Sequence, residues 1–159
     1  MSLIFDDIGI FCGVTKENDV LMGADFGVKK IGLAISSPSR SMALPLSVLP
    51  NDDYFFAKIL KLAKEKNVGG FVVGVPLSNG AIYGDSAVRA KNFAIKLSKV
   101  SQIPVFLQDE RRTSKAADSL LILAGYKRKE RNAIDDSVAA SLILESAIAK
   151  MKSLKSNFL

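Results

Sequence analysis

A mixed α/β fold with helices on both faces of its sheet is predicted by three observations. Two apolar runs, Val20–Ala24 and Ile31–Ile35, flank a tight basic turn and read as a strand hairpin. Phe71–Val75 is continuously apolar, the pattern of a strand buried on both faces. From Tyr54 onward, segments with helical spacing alternate with short apolar runs. The order is βββαβαβαα, a sheet of five strands with hairpin-connected strands first and alternating elements after.

In order, residues 1–19 are weakly patterned and read as a lead-in or a short helix. Val20 to Asp25 is the first strand, and Phe26-Gly-Val-Lys-Lys30 turns the chain into the second. Ser41–Leu49 is the third, where Pro45 predicts an irregularity or a sheet edge. Pro50–Asp53 stops it and offers a helix cap. Tyr54–Lys66 is helical, with Phe55, Ile59, Leu62 and Ala63 on one face. After the strand Phe71–Val75 comes a loop from Pro76. Asp85–Val100 is a second helix with Ala87, Ala90, Phe93, Ala94 and Leu97 on one stripe. Pro104–Gln108 is the fifth strand. A third helix is expected from Thr113 or Ser114 to Ala124, a charged linker over Lys127–Arg131, and a last helix over Ile134–Met151. Residues 152–159 read as a frayed tail. The whole chain, 1–159, is expected to form a single domain.

Composition narrows the chemistry. With 48% apolar and 24% charged residues, the chain is globular rather than disordered. The net charge of +6 favours an anionic partner, nucleic acid first, although basicity alone fits many soluble proteins. Histidine is absent, which excludes Ser-His and Cys-His pairs and any His-ligated metal. Cys12 is the only thiol, so no internal disulfide or structural zinc site can form. The start of the chain has no basic leader and no apolar run reaches membrane-spanning length, so a cytoplasmic location is expected.

What remains is carboxylate chemistry. Asp25 ends a buried-looking strand, and an ionised carboxylate there needs a cation or donors. Ligands of open α/β sheets sit at the carboxyl ends of strands. Asp109 and Glu110 follow another apolar strand, whereas Gly74-Val-Pro-Leu77 brings no acid. Asp135 and Asp136 open the last helix. Asp136 shares a face with Ala139, Ala140 and Ile143, and Asp135 with Val138, Ala139 and Leu142, so the helical face leaves both open. Any of these acids could instead be a turn or cap residue. Carboxylates from separate segments make a hard oxygen site suited to Mg²⁺ or Mn²⁺. Two such ions, roughly 4 Å apart, would activate water and stabilise the leaving oxygen of a phosphodiester.

Four stretches then carry a family resemblance: Gly23–Ala34, Val73–Leu77, Asp109–Arg111 and Asp136–Leu144. Together, and in this order, they resemble the YqgF family, also called RuvX, of the ribonuclease-H-like superfamily that includes the RuvC resolvases. The resemblance spans Val20 to Ile148. It implies a ribonuclease-H-like fold with Asp25, Glu110 and Asp136 as catalytic, metal-binding acids. It implies a nuclease that matures the 5′ end of precursor 16S ribosomal RNA, or alternatively a Holliday junction resolvase, working as monomer or homodimer. Two departures stand out. The family's Asn-Met-x-Gly-like loop is replaced by Ser78–Gly84, and Arg112 and Ala116 stand where Leu and Glu are usual. Lys29, Lys30, Arg111 and Arg112 are the expected phosphate contacts, positioning nucleic acid without reading its sequence. Lys127, Arg128, Lys129 and Arg131 could extend that track, and Tyr83 could stack on a base.

Two rival classes remain. Asp25-Phe-Gly27 with its basic hairpin also resembles the phosphate loop of actin-like and sugar-kinase ATPases, which need a second such domain. A non-catalytic nucleic-acid scaffold would bind in a salt-sensitive way without cleavage.

Overall fold

The computed structural model describes residues 2–16, 19–76, 84–110 and 128–156, with side chains of the last segment described from Asp136 onward. Its elements are β1 (Ile4–Phe5), α1 (Ile8–Val14), β2 (Val20–Asp25), β3 (Lys30–Ser36), β4 (Ala43–Pro50), α2 (Phe55–Glu65), β5 (Val68–Val75), α3 (Asp85–Ser101), β6 (Val105–Asp109) and α4 (Arg128–Ser156). The helix expected over 113–124 lies outside the described residues. The strands form one mixed sheet in the order β1-β6-β5-β2-β3-β4. The β1, β6, β5 and β2 strands run parallel; β3 pairs antiparallel with β2, and β4 antiparallel with β3.

Among the described residues the sheet has six strands, not the five expected. The extra one, β1, is two residues long and pairs with β6 at Ile4↔Val105 and Phe5↔Phe106. Two residues show no period-2 pattern, so a strand that short is invisible in sequence. The lead-in also forms α1. Asp7 caps it by accepting from the Ile10 N–H at 3.0 Å. Phe11 is fully buried there, its ring centroid 5.5 Å from that of Phe106. At Pro45 the β3–β4 register shifts, the irregularity that proline predicted.

Strand alternation sorts the core into two layers. Met22, Ala24, Ile31, Leu33, Phe71 and Val73 face α2 and α3, packing on Phe55, Ile59, Phe93 and Leu97. Leu21, Ala34, Val72 and Phe106 face the other way, onto α1 and α4. The α4 stripe on that side is Ala140, Ile143, Leu144, Ala147, Ile148 and Met151, at spacings of three and four.

Three sequence boundaries move: β5 begins at Val68 rather than Phe71, and both ends of the last helix shift outward. The last helix starts at Arg128, so residues 128–131 are helical rather than a linker. Lys, Arg and Glu are strong helix formers and need no apolar face to extend a helix already anchored downstream. For the same reason α4 continues to Ser156, past the Lys152 at which fraying was expected.

Candidate active site

The parallel strands β2, β5 and β6 end side by side, at Asp25, Val75 and Asp109. Along β2, Leu21 faces the α4 layer, so Asp25, four residues on, faces it too. Asp25 pairs with Gly32 of β3, and its other neighbour strand presents Gly74, the residue after Ala24's partner Val73. Asp25 therefore stands between two positions without side chains.

Each glycine is roofed by another acid. A β-carbon on Gly32 would collide with the Asp136 backbone, so its absence lets the start of α4 lie directly on β3. A β-carbon on Gly74 would stand 2.8 Å from Glu110 Oε2 and 2.5 Å from Ile143 Cδ1. Glu110 is held in place by its N–H, which donates to the Val75 carbonyl at 3.0 Å and extends the β5–β6 ladder by one residue. Asp25, Glu110 and Asp136 thus come from three distant segments to one face at one end of the sheet.

Asp25 feels the charges of the other two acids. The Asp25 carboxyl is pushed up from 3.8 to about 8, first by burial, then by Glu110 and by Asp136. Asp136 Oδ2 is buried and accepts no hydrogen bond. The Lys30 ammonium lies 3.2 Å from it, close enough for an ion pair but not aligned to donate. No three acidic side chains among the described residues stand in a ready metal-binding array.

A cleft of about 410 Å³ opens beside these acids. Asp25 and Glu110 line one side, Phe26, Gly27 and Val28 the hairpin side, and Ser86, Arg89 and Ala90 of α3 the opposite wall. Phe26 stacks on Phe93, with ring centroids 5.1 Å apart, and so ties the residue after Asp25 to α3. The hairpin tip is fixed by Asn51. Its Nδ2 donates to the carbonyls of Gly27 (3.0 Å) and Val28 (3.1 Å), and its N–H donates to that of Lys29 (2.9 Å).

Of the residues proposed from sequence, Lys29 and Lys30 are exposed on this hairpin, beside the acids. Arg111, Arg112, Tyr83, Ala116 and Lys127 lie outside the described residues, as do the side chains of Arg128, Lys129, Arg131 and Asp135. Sequence reasoning missed Asn51, Arg89 and the two glycine seats. A glycine inside an otherwise apolar strand, as at Gly74, was the available signal for close approach. Asn51 and Arg89 carried none, being one polar residue in a turn and one charge on an amphipathic helix.

The chain is similar to known proteins in sequence and in fold. The family model described as "RuvX: Holliday junction resolvase" matches residues 19–150. A protein of Orientia tsutsugamushi (strain Ikeda) named "Putative pre-16S rRNA nuclease" is 44% identical over 158 residues, covering 98% of this chain and 100% of its own. A protein of the same name from Rickettsia peacockii (strain Rustic) is 37% identical over 155 residues, covering 96% and 100%. Among solved structures, Thermus thermophilus RuvC superposes with a TM-score of 0.51 at 13% identity, over 84% of this chain and 96% of that one. RuvC in complex with a Holliday junction substrate gives 0.50 at 15%, over the same shares. At such identities the structural likeness speaks for the ribonuclease-H-like fold alone. The sequence matches run through β2, its hairpin, the strand ends and α4, and on that span the chain belongs to the RuvX family.

Proposed function

We propose that this protein is a divalent-cation-dependent nuclease that hydrolyses phosphodiesters, maturing the 5′ end of precursor 16S ribosomal RNA. The carrying observation is the placement of three acids from β2, the end of β6 and α4 on one face, with Asp25 held protonated up to about 8 by burial and by the other two. A buried carboxyl raised further by two neighbouring carboxylates calls for a cation. The donor set fits Mg²⁺ or Mn²⁺, being all hard oxygen, and the buried Asp136 Oδ2 accepts no hydrogen bond, holding the Lys30 ammonium at ion-pair distance instead. The names of the relatives support the substrate class.

Asp25, Glu110 and Asp136 are the residues that would hold the ion. When bound, it supplies Lewis-acid polarisation of the phosphate and activation of water. The chain does the remaining work. Asp25 gives up its proton as the charge of its neighbours is compensated. Lys30 leaves Asp136 and turns to a substrate phosphate, with Lys29 beside it. Arg111 and Arg112, which follow Glu110 in the sequence, take the same role. Phosphate contacts of this kind position the strand, and specificity comes from shape or single-strandedness. RNA trimming needs one copy of the chain, and the substrate places it in the cytoplasm.

The family description favours a second reading, resolution of four-way DNA junctions, for which a homodimer would match the two-fold symmetry of the junction. Incubating the purified protein with Mg²⁺ or Mn²⁺ and either precursor 16S RNA or a four-way junction separates the two. Cleavage of the RNA at its 5′ leader supports the first reading. Paired symmetric nicks in the junction, with the RNA intact, support the second.

A further inference from the structure

Arg89 of α3 lines the same cleft as Asp25 and Glu110. Ser86 and Arg89 are exposed on α3, three residues apart and therefore on one side of the helix. Ala87 and Ala90, both buried, seat this turn of α3 against Val75 at the end of β5. Two methyl-sized side chains let the helix come close to the strand end, and that brings Arg89 to the rim of the cleft.

Arg89 has no carboxylate or carbonyl partner among the described residues, although Glu110 and Asp25 line the same cleft. A guanidinium presents five donors in a rigid fork suited to phosphate oxygens. The opposite wall collects carboxylates, and the hairpin supplies the apolar surface of Phe26 and Val28. A ligand that satisfies both walls carries an anionic group for Arg89 and reaches the carboxylates with a second group neutralised by a cation. It also has a flat or apolar body between them. A polynucleotide strand has this alternation.

Resting on the nuclease reading, we propose that Arg89, assisted by the Ser86 hydroxyl, binds the phosphate next to the scissile one. The cleft between α3 and the β2–β3 hairpin is then a one-nucleotide subsite. Arg89 is a positioning residue: it fixes where the strand lies over the acids and takes no part in bond making. Its contact is with phosphate, so it contributes equally to all sequences.

The test uses the full chain and two variants, Arg89→Ala and Arg89→Met, the second keeping the aliphatic stem. Binding of a labelled single-stranded RNA is measured across a salt series without divalent cation. Cleavage of precursor 16S RNA with Mg²⁺ is measured in parallel. Both variants are expected to bind about tenfold more weakly, with the slope of log K against log salt reduced by about one phosphate contact. In cleavage KM rises by a similar factor while kcat stays within about twofold, and Arg89→Lys recovers part of the loss. Unchanged affinity and slope in both variants would overturn the subsite, as would a fall in kcat at constant KM. Asp25→Asn run alongside separates the two levels. If it cleaves like the wild type, the nuclease reading of the acids fails. If it is inactive while the Arg89 variants bind normally, only the subsite fails.

Discussion

Lys30 Nζ lies 3.2 Å from Asp136 Oδ2, so the first residue of β3 and the α4 acid that roofs Gly32 form an ion pair across the hairpin side of the site. Lys30 is half-exposed, and such pairs contribute little to stability. Their importance here is competitive, because the ammonium stands where a cation would find its oxygen. Lys30→Met should bind Mn²⁺ more tightly, about two- to fivefold by calorimetric titration. The same variant should bind RNA more weakly. Weaker Mn²⁺ binding would contradict this role.

Asp25 gives the protein a pH dependence of definite sign. Folded, its carboxyl titrates at about 8, against 3.8 ordinarily. Between those values the folded chain holds a proton that the unfolded chain has lost, so stability without divalent cation falls as pH rises through this window. Above about 8 this contribution is flat. Urea denaturation at pH 5 and pH 8 should show the loss in the wild type. In Asp25→Asn the loss should be greatly reduced, and the variant should be the more stable of the two at pH 8. Mg²⁺ should raise the wild-type Tm at pH 8 and leave that of Asp25→Asn nearly unchanged.

Gly32 and Gly13 make a controlled pair. A methyl group on Gly32 meets the Asp136 backbone, whereas one on Gly13, in α1, meets nothing within 4 Å. Gly32→Ala should cost about 3 kcal/mol by chemical denaturation and displace Asp136 enough to abolish cleavage even where the protein is folded. Gly13→Ala should be neutral or stabilise by up to about 1 kcal/mol, with activity intact.

Asn51 contributes through the turn it holds. Asn51→Ala removes both side-chain hydrogen bonds to the Gly27 and Val28 carbonyls. A loss of about 1 kcal/mol in stability is expected, with weaker RNA binding from a loosened Lys29–Lys30 turn. Asn51→Asp, which also lacks the donors, should behave at least as badly. Wild-type RNA affinity in both variants would show that the turn needs no clamp.

Much of this was legible in the sequence because single features overrode their surroundings. Asp25 stood out as a lone acid between an apolar run and a glycine-containing basic turn. The five longer strands, α2 and α3 were written in clear periods. The two-residue β1 was not, since its pairing with β6 is a tertiary event with no local pattern. The start of α4 read as a linker because a charged segment shows no apolar stripe even when it is helical. Asp135 and Asp136 could not be separated by helical face. The seating of the Asp136 backbone on Gly32 brings two segments far apart in the sequence together, which no local pattern records. Arg89 looked like any solvated helix charge until the cleft placed it opposite the acids.

Asp25 is the centre of the proposed cation-dependent cleavage site. The most direct measurement is Mg²⁺-dependent cleavage of precursor 16S RNA by the wild type and by Asp25→Asn, with RNA affinity measured on the same preparations. Cleavage by the variant should fall by at least about a thousandfold, with RNA affinity within about threefold of wild type. Wild-type cleavage by Asp25→Asn would contradict the account.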